Sequence, residues 1–236
     1  MCNDPFQRTR LLFGDDGMQR LSEAHVAVFG VGGVGGYVAE ALARSAVGRL
    51  TLIDNDVVRP SNINRQIYAL HSSLGAYKVD VAQQRIGDIN PHCKVEALRM
   101  FYLPDNADEV DLTRYDYVVD CIDTITAKVE LVKRCCRDGV RVLSCMGAAL
   151  KKEPSAMRVS TLEQTCVDPI AKIMRKKLRD SGVTQLKVVY SEEQPAPYRN
   201  EGPLPSNAFV PATMGLIAAG EVVKDLTMEW TSSTQP

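Results

Sequence analysis

The fold of this chain of 236 residues is predicted chiefly from the stretch Val26-Ala27-Val28-Phe29-Gly30-Val31-Gly32-Gly33-Val34-Gly35. Its apolar start predicts a buried strand, and the G-x-G-x-x-G pattern predicts a tight turn into a helix. In such a turn Gly30 permits the sharp bend, Gly32 lets the backbone approach a phosphate, and Gly35 lets the helix pack against the strand. The free N–H groups at the start of the helix attract an anion. The stretch therefore predicts a nucleotide site, and a glycine turn that serves tight packing alone is the alternative.

Strand and helix patterns alternate from this turn to residue 146. Apolar runs predict strands at residues 25–29, 50–54, 94–100, 117–122 and 140–146, and apolar residues at helical spacing predict helices at 34–47, 74–90 and 127–137. Gly48 is placed to end the first helix in the left-handed conformation. Near-continuous apolar strands separated by helices are typical of a parallel sheet covered on both faces. The prediction is a doubly wound, Rossmann-like α/β fold.

The pattern changes after Gly147, where a mixed C-terminal extension of the sheet is predicted. Strands are expected at residues 158–162 and 187–191, with a basic helix at 169–179 between them. Residues 192–207 contain four prolines and predict a long loop, while the apolar tract at 208–223 predicts a buried helix. Because this length suits one large core, we expect a single domain over residues 1–236. Its nucleotide-binding core would cover residues 8–147, and residues 148–230 would contact the substrate or a second subunit.

The composition limits the compartment and the partners of the protein. A formal net charge of −1 means that any contact with nucleic acid must come from a local basic patch. Seven cysteines, an odd number without a C-x-x-C pair, favour reduced thiols and predict no structural zinc site. The chain has neither a secretory signal pattern nor an apolar tract long enough to span a bilayer. We therefore expect a cytoplasmic protein without membrane segments.

Acidic residues follow the predicted strands at the edge where the glycine turn lies. Asp54, at the end of the second strand, is placed to bind ribose hydroxyls, with a turn-capping role as the alternative. For Asp56 a role in the turn is nearly as strong an interpretation as one in the nucleotide site. Asp123 follows the strand at 117–122 and is a candidate ligand for Mg²⁺.

Asn62, Arg65 and Lys78 distinguish the chain from dehydrogenases, which need a nicotinamide pocket and a proton relay instead. Taken singly, Arg65 and Lys78 would be solvated surface charges. Together with the glycine turn and Asp123 they indicate a site at which charge develops on a triphosphate. We therefore expect an ATP site in which the α-phosphate is attacked. The same residues disfavour a non-catalytic nucleotide-binding scaffold, which is a further alternative hypothesis.

These motifs together resemble the ubiquitin-activating-type adenylating superfamily, which includes the ThiF, MoeB and HesA-like proteins. The resemblance rests on the turn at 30–35, Asp54, the Ser-Asn-x-x-Arg-Gln stretch at 61–66, Gly-x-x-Lys at 75–78 and Asp-x-x-Asp at 120–123. It implies that ATP is held by Gly30, Gly32, Gly33, Gly35, Asp54, Asp56, Asn62, Arg65 and Lys78, and Mg²⁺ by Asp123. It also implies a homodimer in which Arg8 reaches the partner's active site, with Arg10 as the alternative. The candidate catalytic residues are thus Arg65, Lys78, Asp123 and Arg8.

Within this superfamily the C-terminal region is similar to the tRNA threonylcarbamoyladenosine dehydratases. The similarity rests on Asp168-Pro169 with the basic helix, on residues 188–192 and on residues 209–215. It implies that ATP adenylates the threonyl carboxylate of the modified adenosine, after which the carbamoyl group closes a ring, AMP leaves and one water is lost overall. The alternative function is adenylation of the C-terminal glycine of a sulfur-carrier protein, although relatives of that kind usually have two zinc-binding C-x-x-C pairs.

The expected macromolecular substrate is tRNA, and the basic helix is the candidate contact. Its cations are Lys172, Arg175, Lys176, Lys177 and Arg179, and Lys151-Lys152 are candidates to extend the patch. A solvated helix face is the alternative interpretation of this charge run. The resemblance leaves open a sulfur-transfer partner such as a cysteine desulfurase, and a monovalent cation at the dimer interface.

Overall fold

The chain forms seven strands and six α-helices in the computed structural model, which describes residues 4–183, 185–199 and 202–228. The strands are β1 His25–Phe29, β2 Arg49–Ile53, β3 Lys94–Leu98, β4 Tyr117–Asp120, β5 Val142–Cys145, β6 Met157–Thr161 and β7 Lys187–Ser191. The helices are α1 Gln7–Glu23, α2 Gly35–Arg44, α3 Lys78–Ile89, α4 Ile125–Arg137, α5 Pro169–Leu178 and α6 Val210–Thr227. The two ends of the predicted domain, residues 1–3 and 229–236, lie outside the described residues.

All seven strands belong to one sheet, in the order β3-β2-β1-β4-β5-β7-β6. Every neighbouring pair is parallel except β6 with β7. Chain order reverses between β1 and β4, and in this class of fold the crevice beyond the carboxyl ends of such strands receives the ligand. The predicted doubly wound, mostly parallel sheet is confirmed, and antiparallel β6 is its mixed extension.

Helices cover both faces of the sheet. Val28 of β1 belongs to a core that also contains Leu42 of α2 and residues of α1, α3 and α6. The next residue, Phe29, belongs to a second core with Leu131 of α4, and α5 packs with α4 in a third. Successive side chains of a strand point to opposite faces, so both faces of β1 must be apolar. This burial is the physical reason for the near-continuous apolar runs in the sequence.

Gly48 does not end α2 in the left-handed conformation, so that prediction is wrong. The left-handed residue is Ala46, whose φ is 65°. Gly48 instead lies so close to α1 that a Cβ atom there would be 1.7 Å from the carbonyl oxygen of Ser22. The glycine is therefore needed for a close approach between two separate segments.

Two helices differ from the predictions: α3 begins later than expected, and α1 was not predicted. The helix α3 begins at Lys78 rather than at residue 74, because Gly75 adopts a φ of 84° in the preceding turn. The helix α1 has no counterpart among the predicted elements, and it is broken at Gly14. Few of its side chains are buried, which explains its weak apolar pattern. Among the described residues no helix combines the length and the apolar character needed to cross a bilayer.

Candidate active site

A cavity of about 450 Å³ lies at the carboxyl edge of the sheet, where β1, β2, β4 and β5 end. Its wall contains most of the residues proposed from the sequence, namely Gly30, Gly32, Gly33, Asp54, Asp56, Asn62, Arg65, Lys78 and Asp123. Gly35 and Arg8 are not part of the wall. The parallel strands thus bring together polar groups that are far apart along the chain.

The glycine turn combines a bend, a close approach and free donors. Gly30 has a φ of 85°, and a Cβ atom there would be 2.7 Å from the carbonyl oxygen of Cys121. Gly35 lies behind the cavity, where a Cβ atom would be 1.8 Å from the carbonyl oxygen of Gly30. The backbone N–H groups of Gly32 and Gly33 have no acceptor among the described residues. These donors at the start of α2 are suited to hold a phosphate.

Asp54 connects the end of β2 to the glycine turn. One carboxylate oxygen accepts a hydrogen bond from the N–H of Val31 at 2.7 Å, and the other accepts one from the N–H of Asp56 at 2.8 Å. The side chain is half-buried at the cavity wall. Asp54 therefore stabilises the turn and still presents a carboxylate to the cavity, and its binding of ribose stays a prediction.

The cations of the site are held by neighbouring acceptors. Lys78, which is buried, donates from Nζ to Asp56 Oδ2 at 2.7 Å. Arg65 donates from Nη1 to the carbonyl oxygen of Ser61 and to Oδ1 of Asn64, both at 2.8 Å. Both cations line the same cavity, where exchangeable partners leave them able to bind phosphate oxygens.

Asn62 has a structural bond as well as a place in the wall. Its Oδ1 accepts a hydrogen bond from the N–H of Arg59 at 3.0 Å and closes a short 3₁₀ turn. The side chain is buried, and the carbonyl oxygen of Asn62 accepts the N–H of Arg65 at 3.1 Å. Asn62 therefore orients the loop that presents the arginine.

Asp123 lies exposed in the loop after β4. No group of three or more His, Cys, Asp or Glu residues is placed to hold a metal in the described parts of the chain. Mg²⁺ is commonly bound by one or two carboxylates together with substrate phosphates. A lone carboxylate beside a phosphate cradle fits that kind of site, and does not fit a preformed metal cage.

A buried lysine braces this loop and was not predicted from the sequence. Lys128 of α4 donates from Nζ to Asp120 Oδ2 and to the carbonyl oxygen of Cys145, each at 2.8 Å. Asp120 Oδ1 in turn accepts the N–H of Ile122 at 3.1 Å. Lys128 also lines the cavity. The sequence indicates a buried position for Lys128 only through helical spacing. Lys128 precedes the buried Val132 by four residues, so the two residues lie on the same face of α4.

Other residues of the cavity wall belong to segments in which the sequence predicted no site residue. Met100, Phe101 and Tyr102 follow β3, and Leu204 and Ser206 belong to the proline-rich segment. Phe101 is 50% exposed although it lines the cavity. An exposed aromatic ring can stack on a nucleotide base. The sequence feature that could have indicated this part of the site is the pair Phe101-Tyr102, directly after the strand predicted at residues 94–100.

Two thiols also face the cavity. The sulfur atoms of Cys121 and Cys145 are 3.9 Å apart. The hydrogen bond with Cys145 and burial raise the pKa of the Cys121 thiol well above its usual value. Because the thiolate is the nucleophilic form, Cys121 is unsuited to attack a substrate at neutral pH.

Arg8 lies on α1, away from this cavity. It is exposed, and its side chain has no ion-pair partner among residues 4–183, 185–199 and 202–228. Arg10 instead pairs with Asp4 at 3.0 Å and with Asp15 at 2.8 Å. Of the two arginines, Arg8 is therefore the one available to another subunit.

The basic helix has both exposed and inward-facing cations. Lys172, Lys176, Lys177 and Arg179 are exposed. Arg175 donates to the carbonyl oxygens of Leu162 and Thr165, each at 3.0 Å. Lys151 does not extend the patch, because its side chain is buried and pairs with Asp168 at 2.7 Å.

Comparison with known proteins places the chain among adenylate-forming relatives. The sequence model of the ThiF family matches residues 6–235. The chain is 43% identical over 238 residues to the tRNA threonylcarbamoyladenosine dehydratase of Bacillus subtilis (strain 168), and the alignment covers 94% of each protein. It is similar to the crystal structure of the E. coli tRNA N6-threonylcarbamoyladenosine dehydratase TcdA in complex with AMP, with a TM-score of 0.89, 33% identity and coverage of 100% of this chain and 99% of the other. For TcdA in complex with ATP the TM-score is 0.88, with 34% identity and coverage of 98% and 96%.

Proposed function

The chain belongs to the ThiF family, and we propose that it is an ATP-dependent enzyme that dehydrates N6-threonylcarbamoyladenosine in tRNA. The observation that carries the proposal is the single cavity that unites the glycine turn with Arg65, Lys78 and Asp123. The similarity to dehydratases extends over 94% of the chain and favours this function over activation of a sulfur-carrier protein. The complexes of TcdA with AMP and ATP support ATP as the co-substrate.

The cavity wall suggests a role for each group that meets ATP. The carboxylate of Asp54 binds the ribose, and the N–H groups of Gly32 and Gly33 cradle phosphate oxygens. Arg65 and Lys78 exchange their present acceptors for phosphate oxygens. Catalysis is then mainly alignment of the substrate carboxylate with the α-phosphorus, together with stabilisation of the developing charge.

The reaction proceeds in two displacement steps. The threonyl carboxylate attacks the α-phosphorus, the bond to the bridging oxygen of the β-phosphate breaks, and pyrophosphate leaves. The carbamoyl group then loses a proton and attacks the activated carbonyl carbon, whose bond to the AMP oxygen breaks. AMP leaves with one carboxylate oxygen, so the nucleoside loses the elements of one water.

Asp123 is the residue proposed to hold Mg²⁺. A magnesium ion bound there would neutralise charge on the leaving pyrophosphate. The exposed position of Asp123 at the mouth of the cavity supports an ion shared between the protein and ATP.

Surface features support two macromolecular contacts. Leu11 and Leu12 are 81% and 76% exposed beside Arg8, which supports a homodimer that covers α1. The exposed cations of α5 support a contact with tRNA phosphates, and a reaction on tRNA that consumes ATP supports a cytoplasmic location. The sulfur-transfer partner and the monovalent cation at the dimer interface stay predictions.

Conversion of the modified nucleoside tests the function. Purified protein is incubated with ATP, Mg²⁺ and tRNA that carries threonylcarbamoyladenosine, and the digested nucleosides are weighed. We expect ATP-dependent loss of one water, abolished by Arg65→Ala and retained by Arg49→Ala, a matched change at the opposite edge of the sheet. An unchanged nucleoside, with exchange of pyrophosphate into ATP only when a carrier protein is added, would establish the alternative function.

A further inference from the structure

The cavity continues beyond the nucleotide-binding residues to a wall formed after β5. Gly147, Ala148 and Ala149 line this end, together with Ile170 of α5 and Leu204. These side chains are small or apolar and carry no charge. Any polar recognition by them must therefore come from the backbone.

Three consecutive backbone donors of this wall lack partners. The N–H groups of Gly147, Ala148 and Ala149 have no hydrogen-bond acceptor in the part of the chain that the structure describes. The residues on either side are paired, since Met146 donates to the carbonyl oxygen of Val189 at 2.8 Å and Leu150 to that of Pro205 at 2.9 Å. Backbone N–H groups in folded proteins are almost always paired, and successive free ones in a concavity form a site for an anion.

A buried ion pair fixes the position of this row. The side chains of Lys151 and Asp168 are 1% and 0% exposed, and their charged atoms are 2.7 Å apart. Lys151 Nζ also donates to the carbonyl oxygen of Gly147 at 2.7 Å. Asp168 Oδ1 accepts the N–H groups of Ile170 and Ala171 at the start of α5. The pair therefore ties both ends of the loop 147–151 to α5, and it leaves Lys151 no free charge for a substrate.

The proline-rich segment is fastened over the same loop. Leu150 has a φ of 63°, a conformation that a non-glycine residue keeps only where surrounding contacts hold it. Its carbonyl oxygen accepts the N–H of Ala196 at 2.7 Å. The amide Nδ2 of Asn207 donates to the carbonyl oxygen of Lys151, also at 2.7 Å. The loop thus binds Ala196 and Asn207, two residues of the segment whose Leu204 and Ser206 line the cavity.

We propose that the N–H row of residues 147–149 binds the carboxylate of the tRNA substrate, and that Lys151 and Asp168 are positioning residues that hold the row in place. The inference rests on the proposed function and specifies where its acyl substrate lies. Residues 147–149 line the same cavity as Asp123 and the glycine turn, so a carboxylate bound by the row would share that cavity with the phosphates. The same donors stabilise the negative charge on the acyl oxygen during ring closure.

Steady-state kinetics of a neutral pair variant test the positioning role. Lys151→Met combined with Asp168→Asn removes the ion pair without leaving a lone buried charge, and asparagine keeps the cap of α5. We expect kcat/KM for modified tRNA to fall by at least about tenfold, while KM for ATP changes by less than about twofold. Lys94→Met, at an exposed position at the amino end of β3, is the matched control and should leave both values unchanged.

Further variants separate a role of the row from a general loss of structure. Lys151→Arg keeps a cation at this position, so its kcat/KM for tRNA should be higher than that of the Lys151→Met, Asp168→Asn variant. Ala148→Pro removes one donor of the row and should lower kcat with tRNA, whereas Ala148→Gly keeps the donor and most of the activity. A fall in kcat/KM for tRNA accompanied by an equal rise of KM for ATP, or no change in either quantity, would overturn the inference. Absence of tRNA dehydration by the unaltered enzyme would instead refute the proposed function.

Discussion

Gly30 stands where the chain leaves β1 with no space for a side chain. Its positive φ is one constraint, and the second is that a Cβ atom at this position would be 2.7 Å from the carbonyl oxygen of Cys121. The second constraint joins the glycine turn to the loop that carries Asp123. At the scale of the residue, one position therefore couples the phosphate cradle to the candidate metal ligand.

Alanine at Gly30 should damage both the turn and the fold. A left-handed φ and a backbone clash together should cost about 2–5 kcal/mol, the sum of their usual penalties. Unfolding in urea should show this loss, and ATP binding should be abolished. Gly87→Ala is the matched control, because a Cβ atom there meets nothing within 4 Å in the helix α3. A Gly30→Ala protein as stable as the Gly87→Ala protein would contradict the argument.

His25 is a residue whose protonation opposes folding. Burial lowers its pKa, with further lowering by the charges of Arg114 and Arg49. The folded state then binds fewer protons at this site than the unfolded state, so stability is full above the unfolded value near 6.5 and declines as the pH falls below it.

Replacement of His25 should flatten this pH dependence. His25→Gln removes the titrating ring and retains a side chain able to bond Thr51, which His25 contacts at 2.9 Å. Free energies of unfolding measured between pH 7.5 and pH 5 should therefore decline less in the variant, over a range that brackets the ordinary histidine pKa of about 6.5. The exposed His71 offers a matched substitution, His71→Gln. An equal decline in the His25→Gln and unaltered proteins would refute the role of this histidine.

The loops after β4 and β5 are each braced by a buried lysine. Lys128 pairs with Asp120, at the start of the first loop, and Lys151, at the end of the second loop, pairs with Asp168. Buried ion pairs contribute little net stability, but removal of one partner leaves an unpaired charge. At the scale of the element, these pairs set the direction of loops that helices and strands alone do not orient.

Lys128→Met should therefore be strongly destabilising. An uncompensated Asp120 is expected to cost about 3–5 kcal/mol, and the double variant Lys128→Met with Asp120→Asn should regain most of it. Urea unfolding measures both values, with Lys133→Met in the same helix as the control. If Lys128→Met were no less stable than Lys133→Met, the pair would not brace the loop.

The molecule as a whole separates its functions between two surfaces. The cavity lies at the carboxyl edge of the sheet, whereas Arg8 and two exposed leucines lie on α1 outside its wall. In the proposed homodimer, Arg8 of one subunit acts in the active site of the other. The proposed homodimer is thus testable by complementation.

Mixing two inactive variants should restore activity if Arg8 acts across the interface. A mixed dimer of Arg8→Ala and Arg65→Ala subunits contains one complete site, so random reassociation should recover about a quarter of the unaltered activity. The assay is dehydration of modified tRNA after denaturation and joint refolding. Arg10→Ala is the matched variant, and it should be active without a partner because Arg10 is paired within its own chain. Mixtures that stay inactive would show that Arg8 does not act across the interface.

The fold class and the candidate nucleotide-binding groups follow from the sequence alone. Near-continuous apolar strands require a sheet buried on both faces, and a glycine turn followed by Asp54 is a local pattern with a direct chemical reason. Local patterns could not reveal Gly48, Lys128 or Lys151, since each is explained by a contact with a segment distant along the chain. The tertiary structure was needed to show that Lys151 is buried rather than part of a basic patch. It was also needed to show that residues 147–149, whose N–H groups have no acceptor among the described residues, line the cavity of the glycine turn. Burial and unpaired donors are properties of what surrounds a residue, and those surroundings exist only once the strands have met at one edge.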